Sequence, residues 1–219
     1  MYIHSVKLIN FKSIGNYPEA EIILEPKVTA IIGKNESGKS NVLDGLSRIN
    51  FLKANSSAFS AEVVNRNCES GTENIYLITL KHDTKEIVNE LHTDTLVEIS
   101  KSHCTVTGGF LDYYLQHVWP KFDAVVKYLD EINANPLQLK DQELTSYRTY
   151  KQELLKNEQI DLYQIMSALE FFRTRILKLP SERRKTFENT LSSARDSWSD
   201  ALGMFPMFFY RKADKHLNT

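Results

Sequence analysis

Residues 33 to 40 read Gly33-Lys34-Asn35-Glu36-Ser37-Gly38-Lys39-Ser40, a complete G-x-x-x-x-G-K-[ST] phosphate-binding loop. The run from Val28 to Ile32 ahead of it is short, apolar and β-branched, which predicts a buried strand. The stretch from Asn41 to Ile49 behind it has apolar residues at helical spacing. Because a strand, a glycine loop and a helix follow in this order, the sequence predicts a nucleoside triphosphate site.

Each residue type in this loop has a physical task. Gly33 and Gly38 let the backbone bend around an anion, so that successive N–H groups point at the phosphates, and the positive end of the helix faces the same anion. We expect Lys39 to reach the β- and γ-phosphates and the Ser40 hydroxyl to ligate Mg²⁺. The expected cofactors are therefore ATP and Mg²⁺. The expected nucleotide-binding residues are Gly33, Lys34, Asn35, Glu36, Ser37, Gly38, Lys39, Ser40 and Asn41, with Ser40 as the metal ligand.

The composition is that of an ordinary globular protein. The 219 residues are 42% hydrophobic and 25% charged, and the net charge is -1, so any nucleic-acid contact must come from a local patch. Cys68 and Cys104 lack metal-type spacing and predict a free, reduced pair. The N-terminus lacks a signal-peptide layout, and no apolar stretch is long enough to cross a bilayer. We expect a cytoplasmic protein without a membrane partner.

The chain divides into three parts that differ in predicted secondary structure. Residues 1–108 read as a β-rich lobe that carries the phosphate loop, residues 109–204 as a helical insertion, and residues 205–219 as a strand that returns to the lobe. The predicted strands of the lobe are 2–10, 20–25, 74–80, 95–99 and 104–107. The predicted helical runs include 110–129, 141–157, 160–179 and a helix opening at Ser181.

Two sequence features on either side of the predicted loop strand suggest a family. The stretch Ile9-Asn10-Phe11-Lys12-Ser13-Ile14, followed by a second strand and then by the loop with Asn41 behind it, resembles ABC-type ATPase heads of the SMC and RecF class. Within that class it is most similar to the OLD-family (overcoming lysogenization defect) ATPase-nucleases and related AAA-type anti-phage ATPases. The resemblance implies an α/β P-loop NTPase of the ABC/SMC-head type with an N-terminal antiparallel β segment and a large helical insertion.

The resemblance also implies partners and missing parts. Such heads form homo-oligomers around ATP and act on DNA or RNA, and OLD proteins add a DNA endonuclease and can work with other defence proteins. Two stretches weakly resemble the signature loop and the Walker B Asp-Glu of this class. They are Leu191–Ala194 and Val125–Glu131, respectively, and both have helical character. We therefore assign no catalytic residue and expect the Walker B and nuclease carboxylates to lie beyond Thr219.

Charged residues outside the loop leave two readings open. Lys12 and Lys34 either contact phosphate or nucleic acid near the loop or are solvated, whereas Asp44 is expected to pair on the helix rather than bind metal. Between residues 171 and 187 six basic residues face a single acid, Glu182. They are Arg173, Arg175, Lys178, Arg183, Arg184 and Lys185. This stretch either binds DNA or RNA through phosphates or is a solvated helix face.

Several functions are compatible with these observations. The first is an ATP-driven, nucleic-acid-acting effector, an OLD-like ATPase coupled to a nuclease in anti-phage defence. The second is a nucleotide-sensing assembly module without a nuclease of its own, and a further alternative is an SMC/RecF-like DNA-repair ATPase. A small-molecule kinase is disfavoured, because no Arg cluster typical of a kinase lid lies near the loop.

Overall fold

The computed structural model describes residues 1–16, 21–25, 27–34, 37–51, 59, 62–68, 74–81, 93–133, 158–175, 179 and 181–206. Within these residues one antiparallel sheet has the strand order β2-β1-β3-β4-β5-β6. Its strands are β1 Tyr2–Ile9, β2 Glu21–Ile23, β3 Ile75–Lys81, β4 Thr95–Ile99, β5 Cys104–Gly108 and β6 Ile160–Asp161. The sequence thus predicted β1 to β5 within one or two residues at each end, and β6 falls at the start of a run predicted to be helical.

A row of β-branched side chains crosses the whole sheet and marks its buried face. Paired in register, the row runs through Ile22, Val6, Ile78, Val97, Val106 and Ile160. All of these except Ile22 are at most 2% exposed. Because side chains alternate between the two faces of a strand, this register places every second residue of each central strand in the core.

The predicted strand before the phosphate loop is wrong. Residues 27–34 have no regular secondary structure, and Val28 and Ile32 are 79% and 92% exposed. A buried strand needs backbone partners beside it and apolar cover on its faces. Among the described residues no strand pairs with this run, so its apolar composition alone does not bury it.

The predicted helix after the loop is confirmed. Helix α1 spans Lys39–Ser47 and buries Gly45 and Leu46. It lies against the end of β1, because Gly45 contacts the Leu8 and Phe11 side chains. The last turn of α1 is thereby held against the sheet where β1 ends, and the phosphate loop leads into the opposite end of the helix.

The first part of the predicted helical insertion is one continuous helix with a change of pitch. Helix α2 spans Gly109–Tyr113, a π-helical segment spans Tyr114–Val118, and α3 spans Trp119–Asn133. Pro120 has no N–H to donate to the turn before it, which accounts for the altered ladder there. Within this segment, the carbonyl of His117 also accepts a hydrogen bond from the Ser197 hydroxyl, with an O–O distance of 3.0 Å.

Two further helices complete the described part of the insertion. Helix α4 spans Leu162–Arg175 and α5 spans Ser181–Leu202. The Asp161 carboxylate caps α4, because its Oδ1 accepts the Tyr163 N–H at 2.9 Å and also the Cys104 N–H at 3.2 Å. One buried cluster contains side chains of the sheet, of α1 and of these helices. The division of the chain at residues 108 and 204 stays a prediction.

Some predicted elements lie outside the described residues, namely the helical run 141–157 and most of the return strand at 205–219. Of that strand only Phe205 and Pro206 are described, in non-regular structure, and the Phe205 ring packs at an angle against those of Phe51 and Phe110. Both cysteines are free as predicted. In the part of the chain that is described, no helix has the length and apolar character to cross a membrane.

Candidate functional site: the phosphate loop

The phosphate loop enters α1 through a glycine in the left-handed region. Gly38 occupies the N-cap position of the helix with φ 85° and ψ 3°. Residues with a Cβ rarely adopt this conformation, so the second glycine of the motif has a geometric reason. A glycine is favoured at position 33 for a different geometric reason, since a Cβ there would come within 2.6 Å of the Ser37 hydroxyl oxygen. Asn35 and Glu36 lie outside the described residues.

The loop closes around the ammonium group of its own lysine. Lys39 Nζ donates to the Gly33 carbonyl at 2.6 Å and to the Lys34 carbonyl at 2.5 Å, and lies 3.3 Å from Ser37 Oγ. These bonds place the positive charge inside the curve of the loop. An anion entering the loop would meet that charge first, and the two carbonyl contacts would be exchanged for stronger charge-assisted bonds to it.

The first turn of α1 fits the phosphate and metal roles that the sequence predicts. The N–H groups of Asn41 and Val42 both bond to the Gly38 carbonyl, at 2.9 and 3.1 Å. The amides of Lys39 and Ser40 precede them and face the loop, as the first N–H groups of a helix do. Ser40 is exposed, so its hydroxyl is open to a Mg²⁺ ion that accompanies a bound phosphate.

A second chain segment, the turn after β1, contacts the loop helix, and it contains Lys12, whose role the sequence left open. The Asn41 side-chain amide donates to Ser13 Oγ at 2.7 Å. Lys12 Nζ lies 2.7 Å from Asp44 Oδ2, and Arg48 Nε lies 3.1 Å from the same oxygen. Lys12 thus pairs with α1, and Asp44 pairs on the helix as expected. The sequence features that suggested the family, Lys12-Ser13 and Asn41, are in contact.

The ionisation of Asp44 follows from this pairing. Partial burial raises the pKa of the Asp44 carboxyl, but the hydrogen bonds from Lys12 and Arg48 outweigh burial and leave the pKa below its ordinary value. The buried Tyr76 phenol lies near the same charges. Burial raises the pKa of Tyr76, and its hydroxyl has no hydrogen-bond partner among the described residues.

The basic stretch of residues 171–187 is less uniform than its sequence. Arg173 is neutralised by Glu170, with Nη2–Oε1 2.7 Å and two further bonds from Nε. Arg184 is turned inward, since its Nη2 donates to the Leu179 carbonyl at 3.3 Å and its Nε is buried. Arg183 and Lys185 are exposed on α5. Lys178 and the Arg175 side chain lie outside the described residues.

The weaker sequence echoes fall on helices, as their spacing predicted. Val125–Glu131 lies within α3, with Val125 fully buried, and Leu191–Ala194 lies within α5. A helix supplies neither the strand end of a Walker B carboxylate nor the glycine loop of a signature motif, so neither stretch is a catalytic element.

One hydrogen-bonded chain was not predicted. In the hairpin between β4 and β5, His103 bonds Ser100 Oγ through Nδ1 at 2.7 Å and Glu98 Oε1 through Nε2 at 3.0 Å. This order of groups matches a nucleophile triad, but Ser100 is 1% exposed and its oxygen accepts two backbone N–H bonds from the hairpin. The Ser100–His103–Glu98 hydrogen bonds therefore stabilise the turn between β4 and β5.

Comparison with known proteins gives two results. Residues 1–201 match the profile of the AAA ATPase domain family. The chain is also 22% identical over 223 residues to a protein described as "DNA replication and repair protein RecF" from Clostridium botulinum (strain Langeland / NCTC 10281 / Type F). That match covers 100% of this chain and 55% of the relative, so the chain spans about half the length of the curated relative. No solved structure matches the chain.

Proposed function

Because the chain belongs to the AAA ATPase domain family, we propose that residues 33–41 bind ATP together with Mg²⁺. We further propose that the protein is the ATP-binding head of a DNA-associated ATPase. The observation that carries the first proposal is the geometry of the loop. Gly38 is left-handed at the N-cap of α1, and the Lys39 ammonium lies inside the curve of the loop.

The roles proposed for the loop residues follow from where they lie. Lys39 exchanges the Gly33 and Lys34 carbonyls for β- and γ-phosphate oxygens, while the first amides of α1 bind the same phosphates. The Ser40 hydroxyl ligates Mg²⁺, which would neutralise the phosphate charge during hydrolysis. Asn35 and Glu36 are included on the sequence pattern alone. The catalytic carboxylate remains unassigned.

The nucleic-acid part of the proposal rests on similarity. The relative is described as a DNA replication and repair protein, and the Ser13–Asn41 contact joins the two features by which this chain resembles SMC and RecF heads. We therefore place it with the RecF-like DNA-repair ATPases of the ABC/SMC-head type. Two heads that close around ATP in the cytoplasm would couple nucleotide to DNA.

A second candidate is an OLD-like ATPase-nuclease in anti-phage defence. The Asn-Phe-Lys-Ser stretch at residues 10–13 and Asn41 favour it as they favour the RecF-like reading. Within the described residues no group of three or more His, Cys, Asp or Glu side chains is placed to hold a metal. The nuclease part of this candidate therefore depends on residues outside the described ones, and defence partner proteins belong to the same candidate.

Equilibrium binding and turnover together test the proposal. A fluorescent ATP analogue should bind the protein more tightly with Mg²⁺ than with EDTA, and the whole protein should hydrolyse ATP faster when DNA is added. Failure to bind any nucleotide would refute the site. Binding without turnover, with or without DNA, would instead support a nucleotide-sensing module. DNA cleavage by the whole protein would favour the OLD-like candidate over the RecF-like one.

A further inference from the structure

The turn after β1 contains two residues in an unfavourable backbone conformation. Asn10 has φ 56° and Lys12 has φ 51°, and neither is a glycine. Asn tolerates the left-handed region, but a lysine there is uncommon. Such conformations persist only where the surrounding structure holds them, and they cluster at functional sites. We therefore expect the turn from Asn10 to Ile14 to have a functional role besides reversing the direction of the chain.

Backbone bonds hold one side of this turn. Lys12 N donates to the Val63 carbonyl at 2.7 Å, and Asn65 N donates to the Asn10 carbonyl at 2.8 Å. Cys68 adds a side-chain bond, with its Sγ 2.9 Å from Asn10 Oδ1. The segment 63–68 thus holds the backbone of the turn at Asn10 and Lys12.

Side chains hold the other side of the turn against α1. Ser13 accepts the Asn41 amide, and Lys12 pairs with Asp44, which also binds Arg48. Positions 41, 44 and 48 lie on one face of the helix, so the turn contacts its first two turns along a single stripe. Ser13 Oγ also lies 3.5 Å from the place where a Cβ would stand on Gly38. The turn therefore contacts the helix and lies close to Gly38, where the phosphate loop ends.

We propose that Asp44 is a positioning residue of the phosphate loop. Its carboxylate holds Lys12, and with it the Asn10–Ile14 turn, against α1, and the turn in turn sets where Gly38 and the first amides of the helix stand. This role rests on the proposed nucleotide function. Asp44 itself touches no phosphate.

The sign of one substitution separates this role from simple electrostatics. Asp44→Asn removes a negative charge close to an anion site, so a field effect alone would tighten ATP binding. If Asp44 positions the loop, the same substitution weakens binding. The isosteric amide keeps the side-chain volume. The thermal unfolding midpoint of each variant is measured beside its dissociation constant, so that a loss of the fold is told apart from a loss of binding.

The experiment measures the dissociation constant of a fluorescent ATP analogue with Mg²⁺, together with the thermal unfolding midpoint without nucleotide. Asp44→Asn and Lys12→Met should each raise the dissociation constant about threefold to tenfold, and the double variant should be no weaker than the worse single one. Lys12→Arg keeps the pair and should bind within about twofold of wild type. Glu170→Gln breaks a more exposed ion pair, on α4, that involves neither the loop nor its helix, and it should leave affinity unchanged.

Two results would overturn the inference. One is a dissociation constant for Asp44→Asn that is equal to or lower than that of wild type. The other is a double variant whose dissociation constant rises by the product of the two single-variant factors. If Asp44→Asn lowers the midpoint too far to measure binding, Ser13→Ala removes the other side-chain contact of the turn with α1, the Ser13–Asn41 bond, without a charge change and should weaken binding by about as much. The proposed function fails separately, if wild type and Lys39→Ala bind the analogue equally.

Discussion

The phosphate loop and the basic stretch of α4 and α5 were both predicted to bind phosphates, yet the structure builds them differently. In the loop a single lysine is held inside a curve of backbone by Gly33 and Lys34 carbonyls, and Gly38 turns the chain into a helix N-terminus. In the basic stretch Arg173 is paired with an acid and Arg184 points inward. More positive charge is present in the second region, but among its described residues only Arg183 and Lys185 are exposed and not assigned to a partner here, and no backbone loop holds them.

The comparison separates charge from pre-organisation. A phosphate site gains most of its affinity from donors that already converge, because ordering flexible side chains on binding costs entropy. Exposed Arg and Lys side chains on a helix give a weaker contact that depends on salt. Variants of the two regions should therefore differ in both the size and the salt dependence of their effects.

The largest effect is expected for Lys39→Ala. It removes the one charge held inside the loop, and a charge-assisted hydrogen bond is worth roughly 1.5–3 kcal/mol, or about 10- to 150-fold in affinity. Titration with a fluorescent ATP analogue measures the loss. Lys34→Ala is the matched control, because the Lys34 carbonyl contacts Lys39 while its side chain is exposed. Equal losses for the two variants would contradict the pre-organised loop.

A smaller and metal-dependent effect is expected for Ser40→Ala. The loss of one hydroxyl ligand should weaken binding by roughly 0.5–1.5 kcal/mol when Mg²⁺ is present. In EDTA the variant should match wild type, because the hydroxyl then has no ion to complete. The same titration run in both buffers provides the measurement, and an equal loss in EDTA would remove Ser40 from the metal site.

The basic stretch should respond through salt dependence. If Arg183 and Lys185 contact phosphates, replacing both by alanine should flatten the slope of log affinity against log salt by about 1.4–1.8, at 0.7–0.9 for each contact. Arg184→Ala should leave that slope unchanged, because its guanidinium points inward. Filter binding to unrelated DNA sequences over a salt series measures both. An unchanged slope for the double variant would identify a solvated helix face.

The smallest effect is expected for Glu170→Gln. It frees Arg173 from its bidentate partner, so non-specific DNA binding should strengthen slightly. The slope of log affinity against log salt should steepen by at most about 0.7–0.9, the value for one phosphate contact. The stability of the fold should change little, since solvent-exposed ion pairs contribute little to stability. Weaker DNA binding by this variant would show that Arg173 is not a potential contact.

Local patterns predicted the elements whose neighbours are close in the chain. The β1–β2 pair and α1 depend on alternation and helical spacing, which are visible in residues 2–25 and 41–49. The run at residues 28–32 has the composition of a buried strand, but burial is decided by neighbours, and composition does not specify them. The π-helical segment was likewise not predicted, although Pro120 marks its cause.

Within the site, the motif predicted the loop but not its surroundings. Gly38 and Lys39 are placed by the pattern of the motif itself. The contact of Lys12 with Asp44 depends on left-handed backbone at Asn10 and Lys12, and sequence propensities predict against that conformation for a lysine. The neutralisation of Arg173 was visible in principle, because Glu170 precedes it by three residues on a helix.

The two thiols offer a way to watch the turn after β1 move. Cys104 is fully buried, and burial together with the nearby Asp161 charge raises its pKa, so it has little reactive thiolate. Cys68 is only half-buried, and its Sγ contacts Asn10 at the start of that turn. A maleimide dye should therefore label Cys68 alone in the folded protein. These 219 residues thus carry a single attachment point for a fluorescent reporter beside the phosphate-loop helix, and no cysteine within them has to be added or removed.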